Sequence, residues 1–349
     1  MIDLKTFNVK DNFFGARNSH DGFKSNFGKM FSPTKYEKLF ILKGGPGTGK
    51  STILRGVVSF ANGVGITASA VLCSSDVSSL DGVILEHNGK RIGVIDGTAP
   101  HVQDPLFPGA IDEILNLGDG FNSRLLESQK REIIAYTKEK SEAYKNGYST
   151  LFASKGAFDC IYSRFQASEF YNEAECIADE VMKEIDHPVF THDNREGLYS
   201  AFGKDGFFSI TPVGQKASLY IKGNVFVSSM ALDAIKRRAD KKGIGALRFS
   251  SALDDRITER IYIGDTAIIS REEAVDGITL SDYDPNEYCV DFDELFGCYT
   301  TLLSRAALHF KNAASAHLSL EKIYREAVDF SKNEIIFDRL CHRIGDILL

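Results

Sequence analysis

The stretch Leu39-Phe-Ile-Leu-Lys-Gly-Gly-Pro-Gly-Thr-Gly-Lys-Ser-Thr52 decides how this chain is read. Gly44 to Ser51 satisfy the pattern G-x-x-x-x-G-K-[ST], a turn whose backbone N–H groups converge on phosphate oxygens. A β-prone run precedes the turn, and in Ser51–Phe60 the apolar Ile53, Leu54, Val57 and Val58 recur at helical spacing. Strand, loop and helix is the setting the pattern requires. Glycines at 44, 45, 47 and 49 admit backbone angles that a side chain blocks, and the helix behind them points its positive end at the same anion. Lys50 then reaches the β and γ phosphates, Ser51 ligates Mg2+, and Thr52 lies beside the α phosphate. The expected nucleotide-binding residues are Gly44, Gly45, Pro46, Gly47, Thr48, Gly49, Lys50, Ser51 and Thr52.

Such a loop needs an acidic partner for its metal at the end of a neighbouring parallel strand. Arg91-Ile-Gly-Val-Ile-Asp96 fits, so Asp96 joins Ser51 as an expected metal ligand and Lys50 as a catalytic group. Its plain alternative is an Asp that opens a turn before Gly97. No Glu follows Asp96, so the base adjacent to this position in many ATPases is missing. Ala70-Val-Leu-Cys-Ser-Ser-Asp76 reads as a further strand, and Asp76 at its carboxyl end is the expected water-positioning or substrate-binding residue. Asp81 and His101 are weaker candidates, each as readily a cap or a surface side chain. Arg17, Arg55 and Arg91 cannot be ranked as arginine fingers from the sequence.

The chain also matches itself. Asp21–Lys29 aligns with Glu196–Lys204, Leu39–Gly44 with Ser218–Gly223, and Ile92–Asp96 with Thr266–Ser270. In this alignment the second phosphate loop becomes Gly223–Met230, without inner glycines or lysine, and Ser270 stands where the first half has Asp96. Val225, Phe226 and Val227 are expected to block the cradle. Residues 122–187 are rich in Glu, Lys, Ala and Ser and predict long helices, with Phe158, Ile161, Tyr162 and Phe165 as a packing stripe; a second helical run covers about 292–349. Lys130, Arg131, Lys138 and Lys140 alternate with Glu and read as a solvated face. His309–Asn312 parallels Ala143–Asn146. The expected organisation is residues 1–121 with helical segment 122–187, then a degenerate second unit over 188–349. Each unit carries a helical hairpin on an α/β core.

A chain of 349 residues with 43% hydrophobic and 26% charged residues can bury more than one compact core. A net charge of -7 argues against a protein that coats nucleic acid. The apolar runs are strand-length and the amino terminus has no uninterrupted hydrophobic stretch, so the expectation is a cytoplasmic protein without a membrane span. The six cysteines have no CxxC spacing and read as reduced, mostly buried thiols.

With Leu39–Thr52, Leu72-Cys-Ser-Ser-Asp76, Leu80–Ile84 and Val94-Ile-Asp-Gly-Thr-Ala-Pro-His101 in view, the chain resembles a family of uncharacterised bacterial ATPase-like proteins with tandem P-loop domains. The resemblance implies a three-layer P-loop NTPase fold with a mainly parallel sheet, duplicated in tandem, and ATP with Mg2+ as cofactors. The expected function is a Mg2+-dependent ATP-binding protein that is a slow ATPase with one intact site. Two alternatives stand beside it: a small-molecule kinase, and a non-hydrolysing, nucleotide-gated protein whose helices take a protein partner or a second copy of the chain.

Overall fold

The computed structural model describes residues 9–167, 170–185, 198–210, 217–264, 266–270, 278–279 and 284–349. Strands β1 (Asp11–Phe14), β4 (Lys38–Lys43), β5 (Thr67–Leu72), β6 (Leu80–His87), β7 (Lys90–Asp96) and β8 (Asp112–Asn116) form a six-stranded sheet in the order β1-β5-β6-β7-β4-β8. Neighbours run parallel except around β6, which is antiparallel to β5 and β7. The sheet is mixed and mostly parallel. Leu39 to Leu42 are fully buried, because a central strand between β7 and β8 is covered on both faces. Helix α2 (Lys50–Gly63) lays Ile53, Leu54, Val57 and Val58 onto the sheet, the residues its spacing predicts. Phe31, just past the short α1 (Phe27–Met30), packs where Gly82 and Gly93 leave no side chain.

A second, five-stranded sheet follows the order β12 (Ala246–Ser250), β13 (Thr258–Ile263), β14 (Thr266–Ser270), β11 (Ala217–Lys222) and β15 (Ile278–Thr279). Here β11 is parallel to β14 and β15, and β13 is antiparallel to both its neighbours. Strand for strand this repeats β5-β6-β7-β4-β8, with the reversed strand in the same place. Helix α6 (Val225–Lys241) follows β11 as α2 follows β4. A hairpin stands before the five matching strands of each sheet: β2 (Ala16–Ser19) with β3 (Gly22–Ser25), and β9 (Ser200–Gly203) with β10 (Gly206–Ser209). Their turns share Asp-Gly, with φ +96 at Gly22 and +87 at Gly206. The match of Asp21–Lys29 to Glu196–Lys204 is therefore out of register. By element, Asp21-Gly-Phe-Lys-Ser25 corresponds to Asp205-Gly-Phe-Phe-Ser209, because the left-handed turn position fixes the glycine. Residues 196 and 197 of the aligned block lie outside the described residues.

The helices are α3 (Ser123–Ser128), α4 (Lys130–Gln166), α5 (Phe170–Glu184), α7 (Pro285–Tyr288), α8 (Phe292–Glu326) and α9 (Phe330–Leu348). The 37-residue α4 extends for about 55 Å. It runs antiparallel to α8: Tyr144 meets Phe310 at 5.7 Å, Phe158 meets Tyr299 at 5.8 Å, and Phe165 meets Phe292 at 5.8 Å. Beyond this pair the arms exchange partners. Helix α5 packs on α6 of the second sheet, and Leu340, Ile344 and Leu348 of α9 enter the core of the first. The hairpins therefore do not cap their own α/β units, as expected from the sequence, but each other's. A boundary between 187 and 188 does not separate two self-contained cores.

Lys140, expected on a solvated face, is half-buried. The cysteines are free, yet Cys160, Cys176 and Cys298 are exposed and only Cys289 is buried. Among the described residues no helix is long and apolar enough to cross a membrane.

Candidate functional site

The first phosphate-loop candidate occupies the turn from the carboxyl end of β4 into α2. Gly47 and Gly49 take left-handed φ values of +68 and +86, and Gly49 is the N-cap, so no side chain caps the helix amides. Thr48, buried, donates from Oγ1 to the Gly45 carbonyl at 2.8 Å and closes the turn. Lys50 folds over the loop: its Nζ donates to the carbonyls of Gly44 (3.1 Å) and Gly45 (2.9 Å) and lies 3.7 Å from Asp96 Oδ2.

Asp96 is brought there by register, since β7 pairs directly with β4 and sets Asp96 beside Leu42. Its Oδ1 accepts from Thr98 N (2.9 Å) and Thr98 Oγ1 (2.6 Å), so one oxygen closes the turn while the other faces Lys50. Ser51 Oγ accepts from the Leu80 amide at 3.3 Å, at the start of the strand beside β7. These are hard oxygen donors, and Mg2+ characteristically takes few protein ligands and completes its shell with phosphate and water. Ser51 and Asp96 fit that donor set. Among the described residues no group of three or more His, Cys, Asp and Glu side chains forms a metal cage.

The other candidates lie elsewhere or are occupied. Asp76 falls in the loop beyond β5, accepting from Ser78 N (3.1 Å) and Ser78 Oγ (2.7 Å) and pairing with Lys204 at 3.1 Å. Burial pushes its pKa up, but the bonds from Ser78 and Lys204 outweigh this and hold it below the usual carboxylate value, which makes it a poor base. Asp81 and His101 are buried together, Nε2 to Oδ2 at 3.1 Å, with the imidazole stacked on Phe27 at 4.2 Å. Arg17 is buried against Ser251 O and Asp255, and Arg91 pairs with Glu86. Arg55 donates to Ser78 O.

Two residues invisible to motif reasoning touch the loop, and a third feels its charge. The pKa of Lys140, on α4, is lowered first by burial and then by the Lys50 charge. Glu321 of α8 lies against Gly47, where an added Cβ would come within 2.5 Å of the Glu321 carbonyl oxygen. Its carboxyl is held below its usual pKa, first by the His317 hydrogen bond and also by Lys50. Asn333 of α9 donates from Nδ2 to the Thr48 carbonyl at 2.8 Å. The carboxyl-terminal hairpin thus rests on the loop of the opposite half.

The corresponding place in the second half has no cradle. Strand β11 ends at Lys222 and α6 begins at Val225, so Val225, Phe226 and Val227 are helical residues rather than the loop expected from the sequence, and Phe226 and Val227 are buried in the core. Asn224 Oδ1 takes the amides of Phe226 (3.0 Å) and Val227 (3.1 Å) that an anion would otherwise receive. Ser270 holds the register position beside Ile221 that Asp96 holds beside Leu42, and its hydroxyl bonds Ser228 at 2.5 Å. Comparison of the chain with protein-family models, curated proteins and solved structures finds no match.

Proposed function

We propose that the first half binds a magnesium nucleoside triphosphate, ATP, on Gly44–Thr52 and hydrolyses it slowly, in a P-loop unit that arose with the second half by tandem duplication. The observation that carries this is the Lys50 ammonium, drawn over the carbonyls of Gly44 and Gly45 and 3.7 Å from Asp96, at the carboxyl ends of adjacent parallel strands. Matching strand orders support the duplication, and Asn224 in the helix-capping position supports loss of the second site.

In this reading the loop amides and the α2 amino terminus hold the phosphate tail, Lys50 moves from the loop carbonyls to the β and γ oxygens, and Ser51 and Asp96 hold Mg2+, which supplies charge stabilisation when bound. Positioning does most of the work. Asp76 is occupied by Ser78 and Lys204, so water attacks without a strong base and turnover is slow. The contact of Glu321 and Asn333 with the loop favours one second reading, nucleotide-gated movement of the hairpin toward a partner without turnover. Lys50→Ala is expected to abolish ATP binding in calorimetry; undiminished affinity sinks the proposal.

A further inference from the structure

The far end of the chain furnishes a side for the nucleotide's base. Asn333 is only 7% exposed, its Nδ2 is fixed on the Thr48 carbonyl at 2.8 Å, and its Oδ1 is buried without a hydrogen-bond partner. The amide cannot turn round, because Thr48 O accepts only and a flip would oppose two oxygens. Oδ1 is therefore an oriented acceptor at the seam between loop and hairpin. Buried acceptors are rarely left unpaired, and one beside a phosphate loop is explained by a ligand that donates to it. Aromatic surface lies alongside. Phe330, 40% exposed, packs beside Gly49, and Tyr324 packs beside Gly45 with Phe121 at 5.6 Å. Rings of this kind give a purine a face to stack on.

We infer that the α8–α9 turn holds the base of the nucleotide bound by the loop, with Asn333 Oδ1 accepting a hydrogen bond from the exocyclic amine of an adenine ring stacked against Phe330. The inference rests on the proposed reading of Gly44–Thr52. Guanine presents a carbonyl oxygen where adenine carries that amine, so two acceptors would meet. Reaching Oδ1 parts the seam beside Gly49, which links occupancy of the base site to the seating of the hairpin.

Calorimetry of the full chain with Mg2+ and four probes tests this: inorganic tripolyphosphate, ATP, GTP and purine riboside 5′-triphosphate, which is ATP without the amine. ATP is expected to bind about tenfold tighter than purine riboside triphosphate, a difference typical of one good hydrogen bond, with GTP no tighter than the latter. Asn333→Ala should bring ATP to the level of purine riboside triphosphate, and Phe330→Ala should weaken both nucleotides. Equal affinity of the wild-type chain for ATP and purine riboside triphosphate overturns the inference without requiring any variant, as does discrimination that persists in Asn333→Ala. Tripolyphosphate bound without base discrimination removes this inference alone. Failure of the wild-type chain to bind tripolyphosphate removes the phosphate-loop reading and the base site with it.

Discussion

Gly47 answers to two constraints at once: a φ of +68 that L side chains rarely adopt, and a backbone carbonyl, Glu321 O, where a Cβ would approach to 2.5 Å. The first was legible in the sequence, since the motif spaces its glycines for left-handed turns. The second was not, because nothing near residue 47 announces residue 321. Gly47→Ala should cost about 1–2 kcal/mol from the turn angle alone and should also lift α8 off the loop. Hydrogen exchange should then quicken in the last turns of α8; unchanged protection there would show that the helix is not seated on Gly47. Lys50, Ser51 and Asp96 were readable for the same local reason, as residues at fixed offsets from a strand end. Glu321 and Asn333 reach the loop from helices whose sequence pattern reports only an apolar stripe and a charged face.

At the scale of elements, the α4–α8 crossing depends on a size match. A Cβ on Gly147 would meet the Phe310 ring at 2.6 Å, and Phe310 also contacts Tyr144 and Tyr148. Tyr144 and Phe310 occupy equivalent places in the parallel between Ala143–Asn146 and His309–Asn312, so the two similar stretches touch each other. Phe310→Ala should cost about 3–5 kcal/mol through the cavity it leaves. Gly147→Ala alone should cost about 1–2 kcal/mol by overpacking, even against its gain in helix propensity. The double variant fills part of the cavity, so chemical denaturation should find it less destabilised than the sum by about 1 kcal/mol. Strict additivity would falsify the proposed packing relation. The helical stripes of α4 were predictable because their period is local, whereas the hairpin alignment slipped because a short run of shared letters carries less constraint than one glycine with positive φ.

For the whole molecule, the exchange of hairpin arms makes the two halves mutually dependent. Leu340, Ile344 and Leu348 of α9 are buried in the first core. At about 1.5–3 kcal/mol per buried aliphatic side chain, together they contribute about 5–9 kcal/mol, as much as the entire stability of many domains. Residues 1–187 made alone should therefore lack a cooperative thermal transition, as should 188–349, while coexpression should restore a complex that melts as one. A half that unfolds cooperatively by itself at the temperature of the intact chain contradicts this. The sequence by itself determined the strand-loop-helix at Leu39–Gly63, the carboxylate at Asp96 and the long helices, because turn chemistry and hydrophobic period act over a few residues. Only the tertiary structure decided which half each helical arm covers, that Asn224 caps α6, and that Asn333 meets Thr48 across nearly the full length of the chain. Those outcomes depend on where whole elements find room to bury their apolar faces, and that is settled by long-range packing.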